Sequence, residues 1–312
     1  MAPQSEVKTI GWIGLGRMGF QLATRLLDAG YDVAVYNRTR SKAEPLAAKG
    51  ATIVDSPVEL ADRDLVFSMV SASQDLQDVM LGEGGLLTGE RAPRILADSS
   101  TVSVEASEMI RAAAAERGAA FLATPVSGNP AVIAAGKLTM AVSGPRSTFE
   151  DVEPVLGALV RGVTYVGEGE VARLVKIAHN VFLGVVTQSL AEITVLAEKG
   201  GVSREAFLSF LNDSVMGSVF TQYKTPALVN LDFTPTFTHV LLQKDFDLGL
   251  DAAKSLGVVM PVASVTRNLV AQEVGNGNVE DDFATLIVTV AGGSGLTLVS
   301  ENADVSDGLE AS

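Results

Sequence analysis

Lys176 and Asn180 are two polar residues four positions apart in a long stretch with helical spacing, residues 166–184. Because residues i and i+4 project from the same face of a helix, the ammonium and the carboxamide are expected to lie together. Burial lowers the pKa of a lysine, and such a lysine can donate a proton to the alkoxide that forms when a carbonyl is reduced. The stretch alone leaves a second interpretation open, in which Lys176 extends to solvent from a core helix and Asn180 is a hydrogen-bonded core amide.

Composition excludes several classes of site. The chain has 312 residues, which suggests about two domains and is enough to bury a substantial core. The absence of cysteine excludes disulfides, thiolate metal sites and cysteine nucleophiles. The two histidines, His179 and His239, are too few for a multi-histidine metal centre, so no metal site is expected.

Charge and hydropathy limit the partners. A net charge of −14 argues against nucleic acid or an anionic membrane surface as a partner, since both attract basic patches. The N-terminal segment shows no basic region followed by an apolar one and a cleavage site, so we expect no signal peptide and a cytoplasmic location. Lys176, His179 and Asn180 interrupt the best apolar run, so no membrane span is expected.

A glycine-rich loop follows the first predicted strand. Residues 8–13 have the pattern of a short buried strand, and residues 20–29 have helical spacing. In the G-x-G-x-x-G between them, Gly14 permits the tight turn, Gly16 lets the backbone approach a pyrophosphate, and Gly19 lets the helix pack on the strand. The phosphates would face the helix N-terminus. This order predicts a dinucleotide-binding loop formed by Gly14, Leu15, Gly16, Arg17, Met18 and Gly19.

The residues after the second predicted strand, residues 32–36, indicate which cofactor is bound. An NAD-preferring site carries an acidic residue there, about 20 residues after the glycines, to bind the ribose hydroxyls. Here the residues are Asn37, Arg38, Thr39 and Arg40. Arg38 can bind a 2′-phosphate through charge-assisted hydrogen bonds, and Thr39 can donate its hydroxyl. NADP(H) is therefore the preferred cofactor, with NAD(H) as an alternative because a site that accepts both has similar residues.

Strands alternate with helices as far as Gly167. The patterns predict an α/β, Rossmann-type, doubly wound parallel sheet over residues 1–167, with strands at residues 51–54, 65–70, 94–98, 120–123, 138–142 and 163–166. Ligands of such sheets bind at the carboxyl ends of the strands. Three polar segments fall there: MVSAS from Met69, DSST from Asp98 and TPVSGNPAVIAAG from Thr124. Each alone could equally be a plain loop, since its residues are common in turns.

The pattern becomes all-helical after Gly167. A long helix is expected over residues 169–199, with further helices over residues 204–211, 238–256, 262–274 and 280–291. These elements predict an all-helical substrate and dimerisation domain over residues 168–300. Residues 301–312 are acidic and poor in apolar side chains, so a disordered tail is expected.

The order of these motifs resembles the β-hydroxyacid dehydrogenase family, whose members include 3-hydroxyisobutyrate dehydrogenases and tartronate semialdehyde reductases. The likeness spans residues 10–293 and rests on four segments: IGLGRMG from Ile13, DSST with TPVSG, the helix around Lys176, and LLQKDFDLGL from Leu241. Each segment alone is weak, but all four in this order and at this spacing make the resemblance specific.

The resemblance implies a role for each matched residue. Lys176 would be the general acid in reduction, and Asn180 would orient the substrate or Lys176. Ser127 and the backbone of Gly128 would bind the substrate carboxylate, and Thr101 would lie near the nicotinamide. The remaining cofactor contacts that the resemblance implies are Met69 and Val70 beside the adenosine ribose, and Lys244 from the helical domain.

The sequence departs from the family pattern near the expected substrate. The family has asparagines at the third and fourth positions after the lysine, whereas the third here is His179, which we expect to pack against the sheet. Asn129 would place a side chain beside the substrate where the family has glycine, and Pro130 stiffens the loop. The glycines before the lysine are replaced by Glu170 and Ala172. The identity of the substrate therefore stays open.

The sequence thus supports the hypothesis of an NADP-dependent oxidoreductase that interconverts a small anionic 3-hydroxyacid and its semialdehyde or keto acid. Proteins that resemble imine reductases share this architecture, but they have an acid, a tyrosine or no ionisable residue at the position of the lysine. The hypothesis of a non-catalytic NADP-binding regulator predicts that at least one of the polar residues Ser127, Lys176 and Asn180 is replaced. All three are present. The apolar surface of the long helix and the resemblance also predict a homo-oligomer formed through the helical domain.

Overall fold

The computed structural model describes residues 7–309. The chain folds into two compact units, Met1–Lys176 and Ile177–Ser312. The division lies inside the long helix Val171–Lys199 rather than at Gly167, where the sequence pattern changes. The expected fold class, a Rossmann-type unit followed by an all-helical one, is confirmed.

The N-terminal unit is a sheet with helices between its strands. The strands are β1 (Thr9–Ile13), β2 (Asp32–Tyr36), β3 (Thr52–Ile53), β4 (Leu65–Ser68), β5 (Ile95–Asp98), β6 (Ala120–Ala123), β7 (Val126–Ser127), β8 (Thr139–Ser143) and β9 (Gly162–Gly167). The helices are α1 (Arg17–Asp28), α2 (Glu44–Ala47), α3 (Ser73–Leu81), α4 (Val104–Glu116), α5 (Pro130–Ala134) and α6 (Arg146–Leu159), with 3-10 turns at Arg40–Lys42 and Pro57–Leu60.

The strand order is β3-β2-β1-β4-β5-β6-β8-β7, with β9 beside β8. Strands β1 to β6 are parallel, and the order reverses between β1 and β4, where ligands of doubly wound sheets bind. The sequence pattern predicts a parallel sheet, and this is wrong for part of it. Strand β8 runs antiparallel to β6 and β7. The connection between β7 and β8 is too short for the crossover that a parallel pair requires.

The core of this unit explains which strands the sequence predicts well. All residues of β4 and β5 are buried, as expected for central parallel strands covered on both faces. In β1, Trp12 is fully buried and stacks on Phe67 with ring centroids 5.2 Å apart. Helix α3 was not predicted, because only Leu76 and Met80 of its nine residues are buried and the apolar stripe is too narrow to be seen.

The helical unit continues the long helix. Its elements are α7 (Val171–Lys199), which begins in the N-terminal unit, α8 (Arg204–Asp213), α9 (Val219–Asn230), α10 (His239–Leu256), α11 (Pro261–Gly275) and α12 (Leu286–Gly293), with a 3-10 turn at Phe283–Thr285. Helix α9 was not predicted, because it contains Pro226 and buries polar residues such as Thr221 and Lys224 on its inner face. The core of the unit includes Leu228 and Phe246.

A buried ion pair crosses this core. Lys224 Nζ lies 2.5 Å from Asp282 Oδ1 and donates to Thr236 Oγ1 at 2.8 Å. Burial alone would raise the pKa of Asp282, but the Lys224 ammonium and hydrogen bonds from Lys224, Ala284 and Thr236 outweigh it and hold that pKa below its ordinary value. The carboxylate thereby connects α9 to the segment before α12.

The predicted disordered tail is wrong for residues 301–309, which pack on the helical unit. Glu301 accepts hydrogen bonds from the backbone N–H groups of Arg204 and Glu205 at 2.7 and 2.9 Å. Asn230 and Ala303 exchange two hydrogen bonds of 2.9 Å. The acidic composition predicted disorder, but the carboxylate of Glu301 binds a helix N-terminus, where negative charge is stabilised. Residues 310–312 lie outside the described part of the chain.

Helix α7 is long and apolar enough to cross a membrane by length and composition, although no membrane span was expected from the sequence. Half of its apolar stretch is nevertheless buried by other parts of the chain. The core helix of a soluble protein passes the same test, so these criteria alone do not make α7 a membrane span.

Candidate active site

The glycine loop joins β1 to α1, and each of its three glycines has a different environment. Gly14 has φ = +96°, and a Cβ on it would lie 2.2 Å from the carbonyl oxygen of Met69. A Cβ on Gly19 would lie 2.1 Å from the carbonyl oxygen of Gly14. A Cβ on Gly16, by contrast, would meet no atom of the described residues within 4 Å. Packing therefore explains Gly14 and Gly19, whereas Gly16 borders open space at the positive N-terminus of α1.

Asn37 connects the end of β2 to this loop. Its Oδ1 accepts from the Leu15 N–H at 2.8 Å, and its Nδ2 donates to the carbonyl oxygen of Thr39 at 2.9 Å. Of the other two predicted loop residues, Arg17 is exposed and Met18 is half-buried. Asn37 therefore fixes the conformation of the loop through hydrogen bonds within the protein.

Arg38 extends from the end of β2 with 85% of its side chain exposed. Its Nη1 lies 3.3 Å from Oδ1 of Asp75 in the first turn of α3. The neighbouring Arg40 pairs with Asp55. An exposed ion pair contributes little free energy, so Arg38 can exchange Asp75 for another anion.

A buried hydroxyl connects the segments that follow β4 and β5. Ser100 Oγ accepts from the Val70 N–H at 2.9 Å and donates to Asp98 Oδ1 at 2.7 Å. Asp98 and Ser100 are buried, whereas Met69, Val70 and Thr101 are partly exposed. Within DSST, Thr101 is thus the residue that a ligand can reach most directly, and the preceding residues hold it in place.

The predicted substrate loop follows β7. Ser127 is half-buried, and Gly128 has φ = +141° with Val132 Cγ1 2.7 Å from the position of an added Cβ. Asn129 is only 7% exposed, and its Oδ1 accepts from the Val132 N–H at 3.0 Å to cap α5, with Pro130 as the first helical residue. The structure therefore corrects the expected role of Asn129: its carboxamide caps a helix instead of facing a substrate.

Lys176 is half-buried and lies about one turn into α7, as the last residue of the N-terminal unit. The glycine loop, Thr101 and Ser127 also belong to the N-terminal unit. Because Lys176 is half-buried, part of the residue is exposed. A lysine that extends to solvent from a core helix would have the same burial.

Asn180 and Lys244 belong to the helical unit, where Asp245 joins them. Asn180 is 4% exposed, and its Nδ2 donates to Asp245 Oδ2 at 2.5 Å. Lys244 Nζ lies 3.5 Å from Asp245 Oδ1. His179 is exposed, and its Nδ1 is 3.0 Å from Asn180 Oδ1. The expectation that His179 packs against the sheet is therefore wrong. Asp245 lies in the LLQKDFDLGL segment that carries the family resemblance, but it was not among the individual residues predicted for the site.

Sequence reasoning also missed a cluster of charges at the start of α7. Arg173 is 1% exposed, and its Nη2 lies 2.5 Å from Oδ2 of the fully buried Asp98. Glu170 pairs with Arg111 through its Oε1 at 2.5 Å. The signal that could have revealed the cluster is the spacing of Glu170 and Arg173, which are opposite charges three residues apart just before Lys176.

Comparisons with known proteins place the chain in a family. Residues 9–167 match the family model described as the NAD binding domain of 6-phosphogluconate dehydrogenase. Residues 167–290 match the model described as the NAD-binding domain of NADP-dependent 3-hydroxyisobutyrate dehydrogenase. The chain belongs to the β-hydroxyacid dehydrogenase family. It is an NAD(P)-dependent oxidoreductase of the hydroxyacid dehydrogenase type, and the resemblance predicted from the sequence is confirmed.

The relatives have different substrates and cofactors in their names. An NAD-dependent L-serine dehydrogenase of Pseudomonas aeruginosa is 31% identical over 90% of this chain and 97% of that protein. Glyoxylate/succinic semialdehyde reductase 2 of Arabidopsis thaliana is 30% identical over 89% of this chain and 78% of that protein. The structure of Mycobacterium tuberculosis 3-hydroxyisobutyrate dehydrogenase with L-serine covers 91% of this chain and 99% of that one, at 28% identity and a TM-score of 0.79.

Imine reductases are among the similar structures as well. One from a Pseudomonas species has 20% identity and a TM-score of 0.60, which shows a shared fold alone. The family is therefore established, while the substrate and the preferred nicotinamide cofactor are not resolved by similarity.

Proposed function

We propose that this protein is an NADP-dependent reductase of a small anionic semialdehyde or keto acid, run in reverse as a 3-hydroxyacid dehydrogenase. The observation that carries the proposal is the half-buried Lys176 near the start of α7, with Asn180 one helical turn further on. A dedicated imine reductase does not need a lysine at this position. A regulator without catalysis does not need the lysine and the asparagine together.

The glycine loop fits a dinucleotide. Gly16 is the one glycine of the loop that packing within the described residues does not explain, and a Cβ there would project into open space beside the N-terminus of α1. Backbone N–H groups at a helix N-terminus bind phosphates. Residues 14–19 would hold the pyrophosphate, with Met69, Val70 and Thr101 along the nucleotide and Lys244 contributing from the helical unit. When bound, the nicotinamide supplies the hydride.

The protein's own residues supply the proton and the anion site. In reduction, the Lys176 ammonium donates a proton to the oxygen of the former carbonyl and stabilises the developing negative charge. In oxidation, the neutral amine takes the proton back. Ser127 and the backbone N–H of Gly128 bind the substrate carboxylate, which orients the carbonyl. Asn180 is held by Asp245 at 2.5 Å and orients the substrate or Lys176.

NADP(H) is preferred because Arg38 stands where an NAD site has an acid. Its guanidinium is exposed and carries a fork of donors that matches a phosphate. Thr39, also exposed, can add its hydroxyl. NAD(H) is the alternative, because a site that accepts both cofactors has similar residues at this position.

Initial rates test the proposal. NADPH and NADH would each be paired with methylmalonate, tartronate and succinate semialdehydes, glyoxylate and a cyclic imine. A high kcat/KM for one acidic carbonyl with NADPH supports the proposal. A rate on the imine alone would identify an imine-reducing enzyme of the same architecture. NADPH binding without turnover of any compound would favour a non-catalytic role.

Self-association is part of the proposal. Helix α7 exposes Phe182 and Leu196, which are 67% and 72% exposed in the single chain. Leu174, Val175 and Ile193 of the same helix are exposed as well, and a concentration of exposed apolar side chains is typical of a protein–protein interface. We therefore expect a homodimer or homotetramer formed through the helical unit, which sedimentation would reveal. A cytoplasmic location stays a prediction from the sequence.

A further inference from the structure

Arg173 is buried in the N-terminal unit one helical turn before Lys176. Its side chain is 1% exposed, although it carries a full positive charge. Nη2 lies 2.5 Å from Asp98 Oδ2, Nη1 donates to the carbonyl oxygen of Ser100 at 2.7 Å, and Nε donates to Ser107 Oγ at 3.0 Å. Each of the three guanidinium nitrogens thus has a partner outside α7.

The partners of Arg173 belong to the segments that carry the predicted cofactor contacts. Ser100 directly precedes Thr101, and its carbonyl oxygen is the acceptor for Arg173. Its hydroxyl accepts from the Val70 N–H at 2.9 Å. Asp98 also accepts from Ser68 Oγ at 2.6 Å at the end of β4. The guanidinium therefore connects the start of α7 to the ends of β4 and β5.

Stability alone does not account for a buried pair of this kind. The desolvation of two charges offsets most of their attraction, and apolar residues of similar volume can often replace a buried pair without loss. What the pair provides is geometry, since the planar fork of an arginine fixes direction as well as distance. Glu170, whose Oε2 is 3.9 Å from Arg173 Nε, and Arg111 extend the same cluster at the entrance to α7.

We propose that Arg173, through Asp98 and Ser100, positions the first turn of α7 and thereby sets where the Lys176 ammonium lies relative to Thr101. Arg173 is then a positioning residue for the reaction, and the inference rests on the proposed role of Lys176. Lysine in place of arginine keeps the positive charge but has a single nitrogen, so it cannot make all three contacts. The substitution of choice is Arg173→Lys.

The matched control is Arg204→Lys in the helical unit. Arg204 is also fully buried and pairs with Glu198 at 2.7 Å, and its Nε donates to the carbonyl oxygen of Leu228 at 2.8 Å. It therefore measures what the loss of a buried guanidinium fork does to stability alone. Each variant would be compared with the wild type for Tm, for the Kd of NADPH and for kcat and KM.

A second readout follows the Lys176 amine without turnover. Its rate of acetylation by acetic anhydride across pH is read from its own peptide by mass spectrometry. Lys199, at the far end of α7 and hydrogen-bonded to the carbonyl oxygen of Ser294, serves as the internal reference. If Arg173 positions Lys176, the Arg173 variant should change the ratio of the Lys176 and Lys199 acetylation rates. If Arg173 only stabilises the fold, this ratio should stay the same.

We expect Arg173→Lys to lower kcat about 10- to 100-fold, as misplacement by about 1 Å does, with the Kd of NADPH within about threefold. The acetylation ratio of Lys176 to Lys199 should change at least about threefold, and Arg204→Lys should change neither quantity. A kcat within about twofold of the wild type, or equal losses in both variants, would overturn the inference.

A third variant decides the case in which Arg173→Lys does not fold. Ser107→Ala removes the acceptor of Nε and leaves both charges in place. A fall in kcat with a changed acetylation ratio supports the inference, and an unchanged kcat overturns it. Lys176→Ala, measured alongside, separates the two levels: if it keeps full turnover, the proposed function fails, whereas its inactivity with a normal Arg173→Lys refutes the positioning role only.

Discussion

Gly16→Ala should abolish tight cofactor binding while leaving the fold intact. Gly16 has φ = −69°, which alanine adopts without strain, and an added Cβ would meet no atom of the described residues within 4 Å. As the N-cap of α1, Gly16 is replaced by a poorer capping residue, at a cost of roughly 0.5–1 kcal/mol. Lost chain entropy in the unfolded state offsets this by about 0.4–1 kcal/mol. The net change in Tm should therefore be only a few degrees.

The cost to binding is larger. The methyl group would occupy the space through which a pyrophosphate approaches the helix N-terminus. Loss of one charge-assisted hydrogen bond costs about 1.5–3 kcal/mol, which corresponds to a roughly 10- to 150-fold rise in the Kd of NADPH. Gly157→Ala, inside α6 with no contact near its Cβ position among the described residues, is the matched control and should keep the wild-type Kd.

The fluorescence of Trp12, the only tryptophan of the sequence, measures the binding. Its Nε1 donates to the carbonyl oxygen of Gly14 at 2.9 Å, so it lies beside the loop and can report NADPH. Wild-type affinity in Gly16→Ala would refute the assignment of this loop to the pyrophosphate. A large fall in Tm would show that Gly16 is explained by packing after all.

Two further changes test the nucleotide preference and the buried charges. Arg38→Ala should raise the KM for NADPH about tenfold more than that for NADH, since only NADPH has the 2′-phosphate; equal effects on both would remove the reason for preferring NADP. The lowered pKa of Asp282 contributes stability above its unfolded pKa that is lost as pH falls through its folded value, so the free energy of unfolding should decrease below about pH 4. Asp282→Asn should flatten this dependence in urea titrations, and an unchanged acid slope would contradict the role of its pair with Lys224.

Local patterns predicted much of the fold, and tertiary contacts explain what they missed. Strands such as β4 consist entirely of buried residues, so their composition alone reveals them. The direction of β8 depends on the length of its connection and on pairing with β7, which no local pattern records. The prediction for the tail was wrong because an acidic residue such as Glu301 is stabilised by the helix N-terminus that it contacts. Composition does not record that contact.

The candidate site shows the same division. The motif around Lys176 could be found because its spacing is local to one helix. The cap formed by Asn129 could have been foreseen, since asparagine followed by proline is a common helix start. The pairing of Arg173 with Asp98 could not, because 75 positions separate them in sequence and only the fold brings them together.

Single-turnover reduction by Lys176→Ala tests the central claim most directly. Enzyme loaded with NADPH would be mixed with the best acidic carbonyl of the panel, and NADPH oxidation followed with time, with Lys199→Ala as the control for loss of a lysine from α7. We expect Lys176→Ala to keep the NADPH affinity of the wild type and to lower the rate by roughly 10²-fold or more, as loss of a general acid does. A rate close to that of the wild type would contradict the assignment of Lys176 as the proton donor.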